Sequence, residues 1–217
     1  METFWTDLLT VFVVTGLAAL SPGPNFAIVV KNSLVHSRRA GVWTAVGVTG
    51  GNLPHVIFGL VGVTVIVSQS ILLFTTLKWL GAAYLIYLGV RGLLAKRQDA
   101  GDVDIHLGPL GVARDDMAAT RAFWSSCLIS ALNPKVALFF LVLFTQVVRT
   151  GTPDGLQALF GLASLAVTFG FHALLALFAS HQGVRARFQA SLHWVERVTG
   201  VVLIALGVRL ALSRSNG

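Results

Sequence analysis

Two proline-containing stretches carry the clearest chemistry in the chain, because each interrupts an apolar segment and leaves backbone polar groups free. These stretches are Ser21-Pro22-Gly23-Pro24-Asn25 and Asn133-Pro134-Lys135. Proline cannot donate a hydrogen bond within a helix, and it disfavours helical backbone in the residue before it. Each stretch therefore predicts two half-helices separated by a break.

The groups freed at such breaks suit opposite charges. A half-helix that begins after a break presents N–H groups and the positive end of its dipole, which suit a carboxylate. A half-helix that ends before a break presents carbonyl groups, which suit an ammonium group. The two breaks together match a zwitterion, and an α-amino acid is the simplest small solute of that kind. The alternative is that the prolines only shape helix packing.

The positions of the breaks in the chain favour the binding interpretation. Interrupted apolar segments at matching places in two halves of a membrane protein are typical of a transporter site. Asn52 follows a glycine pair in another apolar segment and is a further candidate for the lining. The predicted substrate-binding residues are Ser21, Pro22, Gly23, Pro24, Asn25, Asn52, Asn133, Pro134 and Lys135.

Lys135 is the only basic residue placed deep in an apolar segment. A charge in that position costs roughly 2.5–3.5 kcal/mol on insertion scales, so it should face a cavity or the bundle interior. Two uses are equally good interpretations. Lys135 either pairs with a substrate carboxylate or bonds to the carbonyl groups freed in the first segment.

Histidines are the remaining titratable groups, since no Asp or Glu lies in the middle of an apolar segment. His172 and His55 are therefore the candidate proton carriers, and hydrogen bonding between helices is the alternative role for both. Two histidines and the single cysteine, Cys127, make a poor metal site, so no metal or other cofactor is predicted. No nucleophile–base or metal constellation indicates an enzyme.

The composition indicates an integral membrane protein. The 217 residues are 55% hydrophobic and 12% charged, and the mean hydropathy of +0.77 is too high for a soluble domain. We predict an all-α protein with six transmembrane helices, because each apolar segment reaches the roughly 20 residues that cross a bilayer. The predicted spans are 4–30, 42–67, 71–94, 122–148, 156–180 and 192–212.

The spans fall into two sets of three, which predicts a 3+3 inverted-topology repeat. Breaks interrupt the first and fourth spans, and Gly-Val-Arg sequences end the third and sixth. One membrane transport domain, 1–217, thus contains pseudo-repeats at about 1–95 and 122–217, joined by a polar loop at 96–121. Most loop lysines and arginines fall on the side of that loop, which is expected to be cytoplasmic with both termini outside. This bias accounts for the net charge of +7 without a nucleic-acid partner.

These motifs together resemble the lysine-exporter family of amino-acid efflux transporters, the LysE/RhtB type, and its homoserine–threonine branch in particular. The resemblance covers essentially the whole chain. It implies a secondary transporter of the bacterial cytoplasmic (inner) membrane, acting as a homodimer. Its substrates would be neutral amino acids or close derivatives, threonine-like or homoserine-like, exported under the proton gradient. Many relatives carry a carboxylate where this chain has Asn52.

The sequence leaves two alternative functions open. One is an exporter or channel for another small zwitterionic or cationic solute. Saturable flux that responds to a proton gradient would indicate an exporter and not a channel. The other is a non-transporting membrane scaffold, although a scaffold has no need of broken backbone inside the membrane.

Overall fold

The computed structural model describes residues 2–69, 71–94, 117–149, 151–179 and 182–212. These described residues form eight α-helices and no strand, which confirms the all-α class. The helices are α1 Glu2–Leu20, α2 Pro24–Val35, α3 Arg38–Gln69, α4 Ile71–Leu93, α5 Ala119–Ala131, α6 Pro134–Val147, α7 Asp154–Ala179 and α8 Gln182–Leu212. Most of the predicted polar loop, residues 95–116, lies outside the described part.

Both breaks occur where the prolines predict them. Helices α1 and α2 meet at 60°, and helices α5 and α6 meet at 63°. Each second half-helix begins at a proline, Pro24 in α2 and Pro134 in α6, because a missing N–H costs nothing in the first turn. The carbonyl of Ala18, which Pro22 cannot serve, accepts a bond of 3.3 Å from the N–H of Ser21. It is therefore not left free for a ligand, contrary to the expectation from the sequence.

Membrane-crossing length is met by a subset of the described helices. The segments Arg38–Val63 of α3 and Asp154–Ala179 of α7 are each long and apolar enough to cross a bilayer. Counting each bent pair as one span raises the number to four. The structure thus agrees with a membrane protein, and the six-span 3+3 arrangement remains a prediction.

Glycines allow the closest helix contacts. Helix α4 packs along α8, where a Cβ added to Gly200 would lie 2.5 Å from the carbonyl oxygen of Gly89. Helix α3 packs along α5, where a Cβ on Gly51 would collide with the backbone of Cys127. Helix α3 also contacts α2, α6 and α7, so it stands at the centre of the bundle beside both breaks. This position brings Asn52 of α3 to the breaks.

Two helices begin four or more residues before the spans that the sequence predicts. Helix α3 begins at Arg38 rather than at residue 42, and α8 begins at Gln182 rather than at residue 192. The loop that the predicted spans leave between residues 180 and 192 is therefore helical from Gln182 onward, and that part of the prediction is wrong. After Gly183 this segment has no proline or glycine to interrupt a helix, and its arginines, alanines and glutamine favour one.

Candidate substrate-binding site

A cavity of about 70 Å³ lies between the two breaks, and we call it the inner cavity. Helices α1, α2, α3, α6 and α7 and the two breaks supply its polar lining, and Leu88 and Leu203 come from α4 and α8. Its polar residues are Thr15, Ser21, Asn25, Asn52, Asn133, Lys135, Thr168 and His172. Phe26, Phe139 and Phe140 give it an apolar wall.

A second and larger cavity, of about 290 Å³, adjoins the inner cavity, and we call it the vestibule. The two share six lining residues, namely Ser21, Gly23, Pro24, Leu88, Lys135 and Leu203. The residues that line only the vestibule are Pro22, Arg91, Gly92, Glu196, Thr199 and Gly200. Lys135 therefore borders both cavities.

The structure brings together most of the residues that the sequence singles out. Seven of the nine predicted binding residues line the inner cavity, and Pro22 lines the vestibule. Pro134 belongs to neither described lining and acts on the site through the bend that it causes. Of the two histidines, His172 lines the inner cavity and His55 does not.

The N-terminus of α2 is open toward these cavities. Its N-cap residue, Gly23, has extended backbone (φ 179°) and no side chain with which to accept the first N–H groups. The ammonium group of Lys135 donates to Ser21 Oγ at 3.0 Å, and it would lie 3.6 Å from a Cβ on Gly23. A helix N-terminus and a lysine thus place positive charge at one point, which suits a carboxylate.

The N-terminus of α6 is closed by its own sequence. The side-chain oxygen of Asn133 accepts from the backbone N–H of Lys135 at 3.0 Å, as an N-cap residue does. Pro134 cannot donate to the carbonyl of Ser130, and that carbonyl accepts from the N–H of Asn133 at 3.1 Å instead. His55 Nε2–H donates to the same carbonyl at 3.2 Å. The first N–H groups of α6 and the carbonyl of Ser130 are therefore satisfied within the protein.

Ser130 connects three helices beside the inner cavity. The amide of Asn25 donates to Ser130 Oγ at 2.9 Å, and Ser130 Oγ donates in turn to Asn52 Oδ1. These bonds fix the side chain of Asn25 and leave its carbonyl oxygen as a buried acceptor. Asn25 is only 9% exposed, so this oxygen needs a donor from within the cavity.

Unsatisfied polar atoms gather at the two cavities. Within the described residues, three buried side-chain atoms have no hydrogen-bond partner: Thr15 Oγ1, Asn25 Oδ1 and Thr199 Oγ1. Thr15 and Asn25 line the inner cavity, and Thr199 lines the vestibule. A buried polar atom without a partner is costly, so these positions are suited to a polar ligand or to water.

His172 lines the inner cavity, and one of its ring nitrogens bonds within its own helix. Its Nδ1–H donates to the carbonyl of Thr168 at 2.8 Å, one turn earlier in α7. In the neutral ring this bond leaves Nε2 as the atom that can take a proton. The described residues bring no group of three His, Cys, Asp or Glu side chains together that could hold a metal.

A salt bridge joins the outer parts of two helices, away from the breaks. Arg149 follows α6 and donates two bonds to Asp7 of α1, at 2.6 and 2.9 Å. The hydrogen bond with Asp7 raises the pKa of Arg149 above its ordinary value. Asp7 lies fourteen residues before Ser21, which is roughly 21 Å along the chain of α1. This pair ties α1 to α6 at the end remote from the vestibule.

Several site residues escape sequence reasoning. Ser130, Thr15, Thr168 and Thr199 are small hydroxyl residues inside apolar helices, and they carry no pattern that separates them from packing residues. Glu196 stands only four residues into the last predicted span, so the sequence places it near a helix end. A carboxylate inside any predicted span is the signal that could have found it.

Broken helices that meet at a cavity with an intramembrane lysine are typical of secondary transporters. Comparison with known proteins agrees with this class. The chain matches the LysE type translocator family over residues 17–214 and therefore belongs to that family. Members of the family are transporters rather than enzymes.

Some of the curated relatives carry functional names. The homoserine/homoserine lactone efflux protein of Salmonella typhimurium is 28% identical over 214 residues, covering 98% of each chain. The threonine efflux protein of Salmonella typhi is 28% identical over 210 residues, covering 94% of this chain and 97% of its own. An uncharacterized membrane protein of Pseudomonas aeruginosa is 32% identical over 227 residues, covering 96% and 94%. No solved structure is a significant match.

Proposed function

We propose that this protein exports neutral amino acids or close derivatives from the cytoplasm, with threonine-like and homoserine-like solutes as the first candidates. The observation that carries the proposal is the pairing of an open positive site with a buried free acceptor in one cavity. Lys135 and the N-terminus of α2 supply the positive site, and Asn25 Oδ1 is the acceptor. The names of the efflux relatives support the same class of substrate.

The proposed binding mode assigns each charge of the zwitterion to one of these groups. The carboxylate accepts from the Lys135 ammonium group, the Ser21 hydroxyl and the backbone N–H of Asn25 at the start of α2. The α-ammonium group donates to Asn25 Oδ1, while Asn52 and Asn133 hold the surrounding framework. A solute with only positive charge would be repelled by Lys135, which argues against a purely cationic substrate.

Cavity size supports a small substrate. A cavity of about 150 Å³ is enough to hold benzene, which has six heavy atoms. The inner cavity, at about 70 Å³, is smaller than that, and the vestibule, at about 290 Å³, is larger. A four-carbon amino acid therefore fits the vestibule as it stands, and the inner cavity must widen before it can take the whole molecule.

We further propose that the proton gradient drives export, with His172 and His55 as the proton carriers on this chain. His172 is the better placed, because it lines the inner cavity while His55 bonds to the Ser130 carbonyl. The proposal also includes six spans in a 3+3 inverted repeat and assembly as a homodimer. The protein would lie in the cytoplasmic membrane with both termini outside.

Reconstituted protein tests the function directly. Proteoliposomes are loaded with a mixture of labelled neutral, acidic and basic amino acids, and the loss of each is followed when a proton gradient is imposed. We expect saturable efflux of small neutral amino acids, and empty liposomes are the control. If no amino acid leaves faster than from empty liposomes despite folded protein, the proposed function is wrong.

Cysteine labelling in intact cells tests the orientation. Gly217→Cys and Gly101→Cys are made singly in a Cys127→Ala background, and both positions lie outside the described residues. An impermeant thiol reagent should label the first variant and spare the second. Labelling of Gly101→Cys alone would reverse the proposed orientation.

A further inference from the structure

Glu196 is a carboxylate of the site to which the proposed function gives no role. It lies on α8, it is partly buried, and it lines the vestibule together with Arg91 of α4 and Lys135 of α6. Carboxylates inside apolar helices are costly, and those that face a cavity commonly take part in substrate or proton pathways. The position of Glu196 therefore indicates a role in binding a ligand.

Charges of both signs face each other across the vestibule. Glu196 is within electrostatic range of Lys135, His193 and Arg91. Among the described residues, no salt bridge joins Glu196 to Lys135 or to Arg91. Lys135 and Glu196 thus border one space without closing it by direct contact. That gap can receive a molecule with a negative and a positive end.

Thr199 supplies a second polar group beside Glu196. The two residues are three positions apart on α8, so their side chains share one face of the helix. Thr199 is only 2% exposed, and its hydroxyl has no hydrogen-bond partner although it borders the vestibule. A carboxylate and a hydroxyl on one face are suited to an ammonium group, which has three N–H bonds to donate.

We propose that the vestibule is a second binding subsite for the amino acid, in which Glu196 and Thr199 bind the α-ammonium group while Lys135 holds the carboxylate. This inference rests on the proposed function and adds a site to it. Protons and the α-ammonium group then compete for one carboxylate. When the ammonium group binds, the proton on Glu196 passes to water in the vestibule, and no other bond forms or breaks.

The shared lysine explains how the two subsites work in sequence. The substrate carboxylate stays at Lys135 and Ser21, which line both cavities. As the inner cavity widens, the ammonium end turns from Glu196 to Asn25 Oδ1, the free acceptor on the other side. Glu196 is then released and can take a proton again. Substrate transfer and protonation become two steps of one exchange.

The charged and titratable groups that face Glu196 come from α4, α6 and α8. Arg91 faces it from α4 and Lys135 from α6, while His193 stands on its own helix. Helices α1 and α7 also pack on α8, and among their described residues none that is charged lines the vestibule. Asp7 of α1 is held by Arg149, and His172 of α7 faces the inner cavity. Arg91 and Lys135 are therefore the cations that face Glu196 across the vestibule.

The pH dependence of substrate affinity tests the proposal on the unaltered protein. Exchange of labelled for unlabelled L-homoserine is measured in proteoliposomes with equal pH on both sides, so that no gradient contributes. We expect the apparent affinity to fall as the pH falls, approaching about tenfold per pH unit once Glu196 is mostly protonated. An affinity that does not change between pH 8 and pH 5 would overturn the proposal.

Variants identify the group that titrates. Glu196→Gln should weaken L-homoserine affinity by about ten- to a hundredfold, as expected for one lost charge-assisted hydrogen bond, and should remove the pH slope. Asp154→Asn removes the same charge from an exposed residue of α7 and should change neither. His172→Gln should keep the slope. A slope that persists in Glu196→Gln, or disappears in His172→Gln, would assign the proton elsewhere and overturn the proposal.

A substrate analogue tests the contact from the other side. The compound 4-hydroxybutyrate is L-homoserine without its α-amino group, and it is used as a competitor. It should bind the unaltered protein and Glu196→Gln equally weakly, because the group that Glu196 binds is missing. A stronger effect of the variant on 4-hydroxybutyrate than on L-homoserine would contradict the assignment.

The outcomes separate this proposal from the function on which it rests. If no amino acid in the panel exchanges, the proposed export function is wrong, and the subsite falls with it. Exchange without the pH slope overturns the subsite alone. If Glu196→Gln does not insert, the pH series on the unaltered protein still decides.

Discussion

The two breaks bend the chain by nearly the same angle, 60° and 63°, yet they differ in what they leave free. The α1–α2 break has a glycine N-cap with no capping side chain, and the oxygen of Asn25 beyond it has no partner. The α5–α6 break is capped by Asn133, and the carbonyl of Ser130 accepts from Asn133 N–H and from His55. The first break is open to a ligand, and the second is closed.

This difference shows that a repeated backbone shape need not repeat a chemical role. The closed break contributes through Lys135, whose side chain crosses to Ser21 at the open break. One half of the molecule thus supplies the helix terminus and the other supplies the cation. Closing the second break fixes the backbone from which Lys135 extends, so the lysine is held where the carboxylate is expected.

Removal of the positive charge of Lys135 should have the largest effect. Lys135→Met should weaken substrate affinity by about 1.5–3 kcal/mol, because a charge-assisted bond to the carboxylate is lost. Lys31→Met, at an exposed position of α2, is the matched control and should bind normally. The measurement is affinity in reconstituted, folded protein. Normal affinity with poor folding of Lys135→Met would show that the lysine serves only to join the two breaks.

The histidines extend the comparison, since His172 borders the open break and His55 serves the closed one. His172→Gln should remove most of the stimulation of export by a proton gradient and keep exchange without a gradient, because glutamine does not titrate near neutral pH. His55→Gln should lower thermal stability and keep the stimulation. Stimulation that survives in His172→Gln at several pH values would remove it as a proton carrier.

The two asparagines should separate binding from stability. Asn25→Ala removes the free acceptor of the open break and should cost about 0.5–1.5 kcal/mol of binding. Asn133→Ala removes the N-cap of α6 and should cost about 0.5–2 kcal/mol of stability with little change in affinity. Substrate affinity and the melting temperature in detergent are measured for both. Equal losses of affinity would mean that the two breaks bind the substrate symmetrically.

The sequence predicts the breaks, because proline acts locally on the backbone, and it predicts most of the polar residues that line the inner cavity. It does not reveal that one break is closed, since that depends on His55 meeting the carbonyl of Ser130 across two helices. The link from Asn25 through Ser130 to Asn52 spans residues far apart in the chain, and no local pattern indicates it.

The sequence also does not predict where some helices begin or what charged residues near their ends do. The extra turns at the start of α8 follow from ordinary helix propensity in a segment interpreted as a loop. Glu196 then gains its significance only from α8 packing along α4, which brings Arg91 to the same vestibule. Periodicity and length cannot specify which helix lies beside which.

Gly23→Ala should have the smallest effect of these substitutions. It tests whether the open break binds the carboxylate. The backbone at Gly23 is extended, and the new Cβ would lie 3.6 Å from Lys135 Nζ and 3.9 Å from the carbonyl of Ser21, which are ordinary contacts. Folding should therefore be unchanged, in contrast to a glycine at a tight crossing such as Gly51. The methyl group would nevertheless stand between the N-terminus of α2 and Lys135, where the carboxylate is expected. We expect an affinity loss of about twofold, or up to about 0.5 kcal/mol.

Gly155→Ala is the control for this last change, because a Cβ at Gly155 meets nothing within 4 Å. It should leave both affinity and stability unchanged. Affinity and melting temperature are compared for the two variants in the same preparation. A Gly23→Ala protein that binds normally would place the carboxylate away from the open break, whereas one that fails to fold would show that this break needs glycine for its backbone.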